Sequence, residues 1–347
     1  MAEKTFQFPT YFKLLLIIIT TLGKIVTAEE ISAVENISDK LRNDTESLWK
    51  VSRDFGNIVH EVPAMVFHPA SVDDIANLIK SSYSSPVPFA IAARGQGHST
   101  GGQAMARDGV VVDMAALRRE RKKKGVGGIS IDVYGEYVDV GGEQLWIDVL
   151  NETVENGVAP ISWTDYLYLS VKWIRLLYSD FSAFTRDQER LISIKALDYL
   201  EGNLLMHQGP INNWRSSFFP LSDHLRIATL ITKHKILYCL ELSKYYYHHQ
   251  SQENVNKEIE ELLEGMGNIP GFYYEKHVSY VEFLNRVRSG ELWLQSQGLW
   301  EVPHPWLNLF IPKSQIMQFN SGVFRGIIFK RNITTGPVLV YPMNRSK

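Results

Sequence analysis

The sequence has one cysteine, Cys239, in 347 residues, which excludes an internal disulfide. It has no excess of charge of either sign: 36 Lys and Arg against 38 Asp and Glu leave a formal net charge of −2. That balance argues against nucleic acid or another polyanion as the main partner. Past the N-terminal segment no apolar run is long enough to cross a bilayer. His248 and His249 do not make up a metal-ligand set, so no metal site is expected. Core material is abundant. With 45% hydrophobic and 12% aromatic residues, the protein is able to bury a large interior, and its length suits roughly two domains.

The first 28 residues read as an export signal. Lys4 and Lys13 flank a short apolar run, Leu14 to Ile19, and Thr27-Ala28 offers a small-residue cleavage region. A single-pass anchor is the competing reading; no stable membrane anchor is expected. Five Asn-x-Ser/Thr sequons, at Asn36, Asn43, Asn151, Asn332 and Asn344, fit a glycosylated secreted protein. The vacuole is the alternative destination.

Residues 29–60 are polar and read as an exposed, partly helical lead-in. From residue 61 the pattern becomes regular. AMVFHPA reads as a strand, and Ser71 caps a helix whose apolar stripe is Val72, Ile75, Leu78 and Ile79. PVPFAIAA and GVVVDM read as buried strands. The basic run RRERKKK, Arg118 to Lys124, reads as a solvated loop. ISIDVYGEYVDVGG alternates like a strand pair, and EQLWIDVLNETVENG has helical spacing closed by Gly157. At Val171-Lys172 the texture changes. The second part alternates apolar runs, ALDYLEGNLLM and HKILYCLEL, with a charged helix, ENVNKEIEELLEGMG. The fold class expected is α+β in two domains, 61–171 and 172–347.

Between the strand candidates lies the glycine-rich turn ARGQGHSTGGQ. Gly95-Gln96-Gly97 after a strand, with Asp113 downstream, imitates part of a dinucleotide fingerprint. Thr100 stands where the third glycine belongs, and no helix follows to hold a pyrophosphate. A purely structural turn is the other alternative from the residues alone.

AARGQGHSTGGQA followed by VVVDM resembles the flavin-binding segment of the vanillyl-alcohol-oxidase superfamily, and more closely that of the plant cytokinin dehydrogenases. The similarity extends to YVDVGGEQLWIDVLNETVENGVAPISWTDYLYLSV, KWIRLLYSDFSAFTRDQE, ALDYLEGNLL, WEVPHPWLNLFIPKS and GPVLVYPMNRSK. The resemblance implies a vanillyl-alcohol-oxidase-type FAD domain and an α+β cytokinin-binding domain. It also implies FAD joined covalently to His98, with Ala93, Gly95, Gln96, Gly97, Ser99, Gln103 and Ala104 lining the cofactor. A neutral imidazole can attack an electrophilic flavin methyl group. Asp165 matches the family's catalytic aspartate, beside Trp163 and Tyr166. Glu201 matches the glutamate at the mouth of the substrate channel, where it would hydrogen-bond adenine. Read without the family, Asp165 is a turn or cap aspartate and Glu201 a surface residue at a strand end. Trp306 and Leu307 would line the purine slot.

The implied activity is FAD-dependent oxidation of the N6 side chain of cytokinins, with oxygen or a quinone as electron acceptor and a monomeric enzyme. A sugar- or alcohol-oxidising relative would need a polar slot that WEVPHPWLNLFIP does not suggest. The sequence departs from the family pattern in two places. A GGTLSNAG-type stretch is absent where Val171 meets Lys172, and the family continues beyond NRSK. The flavin domain is therefore expected to be incomplete, and an inactive or merely cytokinin-binding product is the alternative function.

Overall fold

A computed structural model describes residues 31, 37–132, 134, 137–158, 169–206, 218–247, 252–333 and 336–343. The export signal, Asn36, Asn344, Asp165 with Trp163 and Tyr166, and the His248-His249 pair lie outside the described residues. The protein divides into two compact units, residues 1–149 with 301–307 and residues 150–300 with 308–347.

The first unit is built on a four-stranded sheet. Its strands are β1 (Leu41–Arg42), β2 (Met65–Phe67), β3 (Ile91–Arg94) and β4 (Val110–Asp113). They lie in the order β1-β2-β4-β3, with β2, β4 and β3 parallel and β1 antiparallel to β2. The polar lead-in thus contributes an edge strand as well as a helix, α1 (Thr45–Val51). Val110, Val111 and Val112 are buried, the continuous apolar run expected of a strand covered on both faces.

Helix α2 (Val72–Ser84) joins β2 to β3 and begins in a capping box, with Ser71 Oγ bonded to the Asp74 amide and Asp74 to the Ser71 amide. Of the expected stripe only Leu78 is fully buried, while Val72 and Ile79 are more than half exposed. Ile75 packs partly buried against the same core. The apolar face is narrower than the residue types suggested.

The basic run is not a loop. Met114–Lys123 form α3, which Asp113 caps by accepting a hydrogen bond from the Ala115 amide. Arg121, Lys122 and Lys123 occupy its last turn, where cations favour the helix dipole, and Ala116 and Leu117 supply its buried face. Arg118 and Arg121 pair with Asp148 and Glu143. The density of charge concealed a two-residue apolar contact. The hairpin of β5 (Ile129–Asp132) and β6 (Tyr137–Val140) follows, and then α4 (Trp146–Glu155) with Gly157 at φ +78° beyond it.

The second unit carries an antiparallel sheet in the order β10-β7-β9-β8-β11. The strands are β7 (Leu169–Tyr178), β8 (Tyr199–Met206), β9 (Ile236–Tyr247), β10 (Tyr273–Ser279) and β11 (Leu339–Val340). The Val171-Lys172 junction falls inside β7, which stays in register with β9 across it: Val171 faces Tyr245 and Lys172 faces Lys244. Helices α5 (Phe181–Ile194) and α7 (Gln252–Leu263), with a π-helical segment, Asn320–Phe329, cover one face through Phe181, Phe184, Leu191, Ile259 and Phe324. Helix α6 (Leu221–His234) covers the other through Ile227 and Ile231. Among the described residues no helix is long and apolar enough to span a membrane.

Burial works against the Asp74 carboxylate, yet the Lys40 ammonium at 2.8 Å and the Ala70 and Ser71 amides outweigh it and lower its pKa below 3.8. A lowered carboxyl pKa adds stability above the ordinary value and loses it as pH falls through the folded-state value. Asp74→Asn should therefore cost about 1 kcal/mol at pH 7. The gap to wild type should narrow below pH 3.8, checked by urea unfolding at several pH values.

Candidate active site

The first unit places the glycine-rich turn directly beyond the end of β3. Gly97 adopts φ +70°, and a Cβ there would lie 2.4 Å from the Arg94 guanidinium carbon. Arg94 thus fills the underside of the turn, and only glycine leaves it room. Burial lowers the Arg94 pKa, opposed by the charges of Asp54 and Asp113. On the outer side Gly95 is open: a Cβ added there would meet nothing within 4 Å. The amides of Gln96, Gly97 and His98 have no acceptor among the described residues. Successive unpaired amides in a turn of this kind make a concavity suited to phosphate oxygens. Ser99 Oγ and Arg94 Nη1 are likewise buried without a partner. The turn fits a cofactor that brings a pyrophosphate.

His98 is exposed, as are Ala93, Gly95, Gln96 and Gln103, while Ser99 and Ala104 are half-buried and Gly97 is buried. Of the cofactor residues expected from the sequence, all but Gly97 are thus at least partly accessible. The residues bracketing His98 are clipped from one side: Phe55 N donates to Gly97 O at 3.0 Å and Gly56 N to Ser99 O at 3.1 Å. The Phe55 ring meets the His98 ring edge-on, centroids 4.5 Å apart.

Residues 301–307 also belong to this unit. His304 N donates to Gly56 O at 2.6 Å and Asn57 Nδ2 to Glu301 O at 2.7 Å. This strap brings Trp306 beside Phe55, with ring centroids 6.3 Å apart. Trp306 and Leu307 are 69% and 80% exposed, so they are surface groups of this unit and not core residues. The structure thus brings His98 and Trp306 to one aromatic cluster.

Glu201 sits in the second unit and is not a surface residue. It is fully buried on β8, opposite Glu241 on β9, which in turn faces Arg175 on β7. Directly opposed carboxylates repel. Arg175 answers Glu241 at 2.6 Å, with Arg286 at 3.6 Å. Glu201 Oε2 accepts hydrogen bonds from the Tyr199 and Tyr341 hydroxyls. Burial and the Glu201 charge push the Tyr199 phenol well above its ordinary pKa, so it remains a donor. A groove of about 660 Å³ elsewhere in this unit, lined by Lys172, Asn256, Glu260, Glu264, Tyr273 and Glu275, holds none of the expected site residues. Among the described residues no group of side chains could hold a metal ion.

Sequence reasoning passed over Phe55, Asn57 and Arg94 around the turn, and Tyr199, Arg175, Glu241 and Tyr341 around Glu201. Arg94 and Tyr199 stood inside strings already singled out. Phe55 and Asn57 had only a polar lead-in for context.

Two family models divide the sequence. One described as an FAD binding domain matches residues 63–171. The other, described as cytokinin dehydrogenase 1, FAD and cytokinin binding, matches residues 169–347, more than half of the protein. The chain belongs to the cytokinin dehydrogenase family. Cytokinin dehydrogenase 3 of Arabidopsis thaliana is 42% identical over 414 aligned positions, covering 96% of this chain and 78% of that protein. Cytokinin dehydrogenase 5 of Oryza sativa subsp. japonica is 38% identical, covering 89% of this chain and 72% of that protein.

Because 414 aligned positions exceed the 347 residues present, the Arabidopsis protein carries stretches inside the match that have no counterpart here. Solved structures with some likeness include BBE-like #28 from Arabidopsis thaliana, at TM-score 0.46 and 11% identity over 80% of this chain and 69% of that one. Berberine bridge enzyme from Eschscholzia californica has TM-score 0.44 and 12% identity over 82% of this chain and 66% of that one. The family architecture is an FAD-binding domain followed by a cytokinin-binding domain, both mixing helix and sheet, as the sequence led one to expect. The strap at 301–307 lies within the second family match yet packs in the first unit.

Gly97→Ala should cost about 1–2 kcal/mol from the left-handed backbone alone and reduce the flavin that co-purifies. Gly95→Ala, whose Cβ meets nothing, should leave the urea midpoint unchanged.

Proposed function

We propose that this protein is an FAD-dependent oxidoreductase that cleaves the N6 side chain of isopentenyladenine-type cytokinins to adenine and an unsaturated aldehyde. The observation that carries the reading is the turn at 95–99, where the amides of residues 96–98 have no acceptor among the described residues and a histidine stands beside them, in a sequence that is 42% identical to a cytokinin dehydrogenase. When bound, FAD supplies the two-electron acceptor that oxidation of the N6–carbon bond needs. The amides of Gln96, Gly97 and His98 hold phosphate oxygens, and His98 tethers the ring system covalently. Asp165, outside the described residues, accepts the N6 proton as the adjacent C–H bond is oxidised. Water then completes the cleavage. Trp306 and Leu307 cover the purine and exclude water from it. Glu201, oriented by Tyr199 and Tyr341, accepts a hydrogen bond from the adenine. The acceptor that recycles the cofactor is oxygen or a quinone, and the working form is a monomer.

Export to the cell exterior belongs to the same proposal. It rests on the N-terminal apolar segment and on sequons whose described asparagines, Asn43, Asn151 and Asn332, are exposed. The division of labour is a flavin domain at 61–171 and a substrate domain at 172–347.

A second reading is favoured by the stretches of the relative that have no counterpart here: a non-catalytic cytokinin binder of the same family. The purified protein, supplied with FAD, isopentenyladenine and a quinone-type dye, separates the two. The enzyme reading expects yellow protein, dye reduction and release of adenine. Colourless protein that binds isopentenyladenine without dye reduction would contradict it and support the binder.

A further inference from the structure

Neither ring nitrogen of His98 has a hydrogen-bond partner among the described residues, and the residue is exposed. An imidazole in that state turns freely about two side-chain bonds, yet bond formation requires one nitrogen to face the reacting carbon. Orientation of this kind is worth orders of magnitude in rate. The group that limits the ring is Phe55, whose edge meets it at 4.5 Å with 63° between the planes.

Phe55 is itself fixed from two directions. Its amide and that of Gly56 hold the carbonyls of Gly97 and Ser99, the residues on either side of His98. Its ring is backed by His304 and Trp306, each at 6.3 Å, on a strap bonded to Gly56 and Asn57. A histidine set among glycines would otherwise rest on a soft support. The clip links it, through Phe55, to aromatic rings more than two hundred residues away in sequence.

We propose that Phe55 is a positioning residue for flavin attachment at His98, and that the 301–307 strap acts on the histidine through it. The inference rests on the covalent attachment proposed above. In that attachment an imidazole nitrogen bonds to the carbon of the flavin 8-methyl group. The imidazole N–H proton and one methyl proton are given up, and the electron pair of the broken C–H bond passes to the ring system. Dioxygen then takes those two electrons and two protons and becomes hydrogen peroxide. Phe55 takes no part in this exchange; it holds the imidazole in the orientation from which the bond forms.

The test uses the full-length protein produced with excess FAD. Flavin that stays with acid-precipitated protein is compared with total bound flavin for wild type, Phe55→Leu, Phe55→Tyr and Asn57→Ala. Phe55→Leu should retain total flavin while its covalent share falls about tenfold. Phe55→Tyr should restore the share, and Asn57→Ala, which loosens the strap, should lower it less. A covalent share in Phe55→Leu equal to that of wild type would overturn the proposal. So would parallel losses of total flavin and folded protein, the mark of a packing role only; Phe55→Met repeats the measurement with an unbranched side chain. Wild type that binds FAD but carries none covalently would instead overturn the attachment reading beneath it.

Discussion

Two backbone hydrogen bonds organise the candidate site: Phe55 N to Gly97 O and Gly56 N to Ser99 O. The turn they clip is rich in glycine and would lose much conformational entropy in holding one shape unaided. The carbonyls on both sides of His98 are engaged, and the amides of residues 96–98 have no acceptor among the described residues. The Arg94 guanidinium beneath Gly97 supports the same shape from below. The proposed cofactor cradle and the proposed orientation of His98 both rest on this one constraint, and so does the docking of Trp306, because Gly56 also receives the strap through its carbonyl.

The second unit solves a different problem, which is how to keep two opposed carboxylates inside a sheet. Glu241 takes the guanidinium groups of Arg175 and Arg286, while Glu201 takes two phenol hydroxyls. Breaking such a buried set on one side leaves an uncompensated charge, which costs far more than the intact pair contributes. Glu201 is thus a rigid acceptor held by its neighbours, and Tyr341 makes the short edge strand β11 part of that support. The continuity of β7 across Val171-Lys172 has a similar meaning. Every residue from Leu169 to Tyr178 has a register partner on β9, so the junction does not interrupt the sheet.

Much of this was legible in the residues. Periodicity and capping found β2, α2, β4, the β5–β6 hairpin and α7, because each carries a local signal in side-chain pattern or cap. The glycine turn announced itself through composition, and the family strings named His98 and Glu201. Three features were hidden for physical reasons. The basic helix α3 was masked by the unbroken charged run Arg118 to Lys124 beside a small apolar face. The burial of Glu201 depends on cross-strand partners at Glu241 and Arg175 that no local window contains. The role of Phe55 depends on a strap from residues 301–307, and nothing within Arg53–His60 advertises that contact.

The central claim is that His98 carries the flavin. Proteolysis of the purified protein followed by mass spectrometry of the peptide spanning Arg94 to Arg107 tests it directly. The account predicts that this peptide bears the mass of one FAD and that fragmentation assigns it to His98. An unmodified peptide from protein that is nevertheless yellow, or an adduct on another residue, would contradict it.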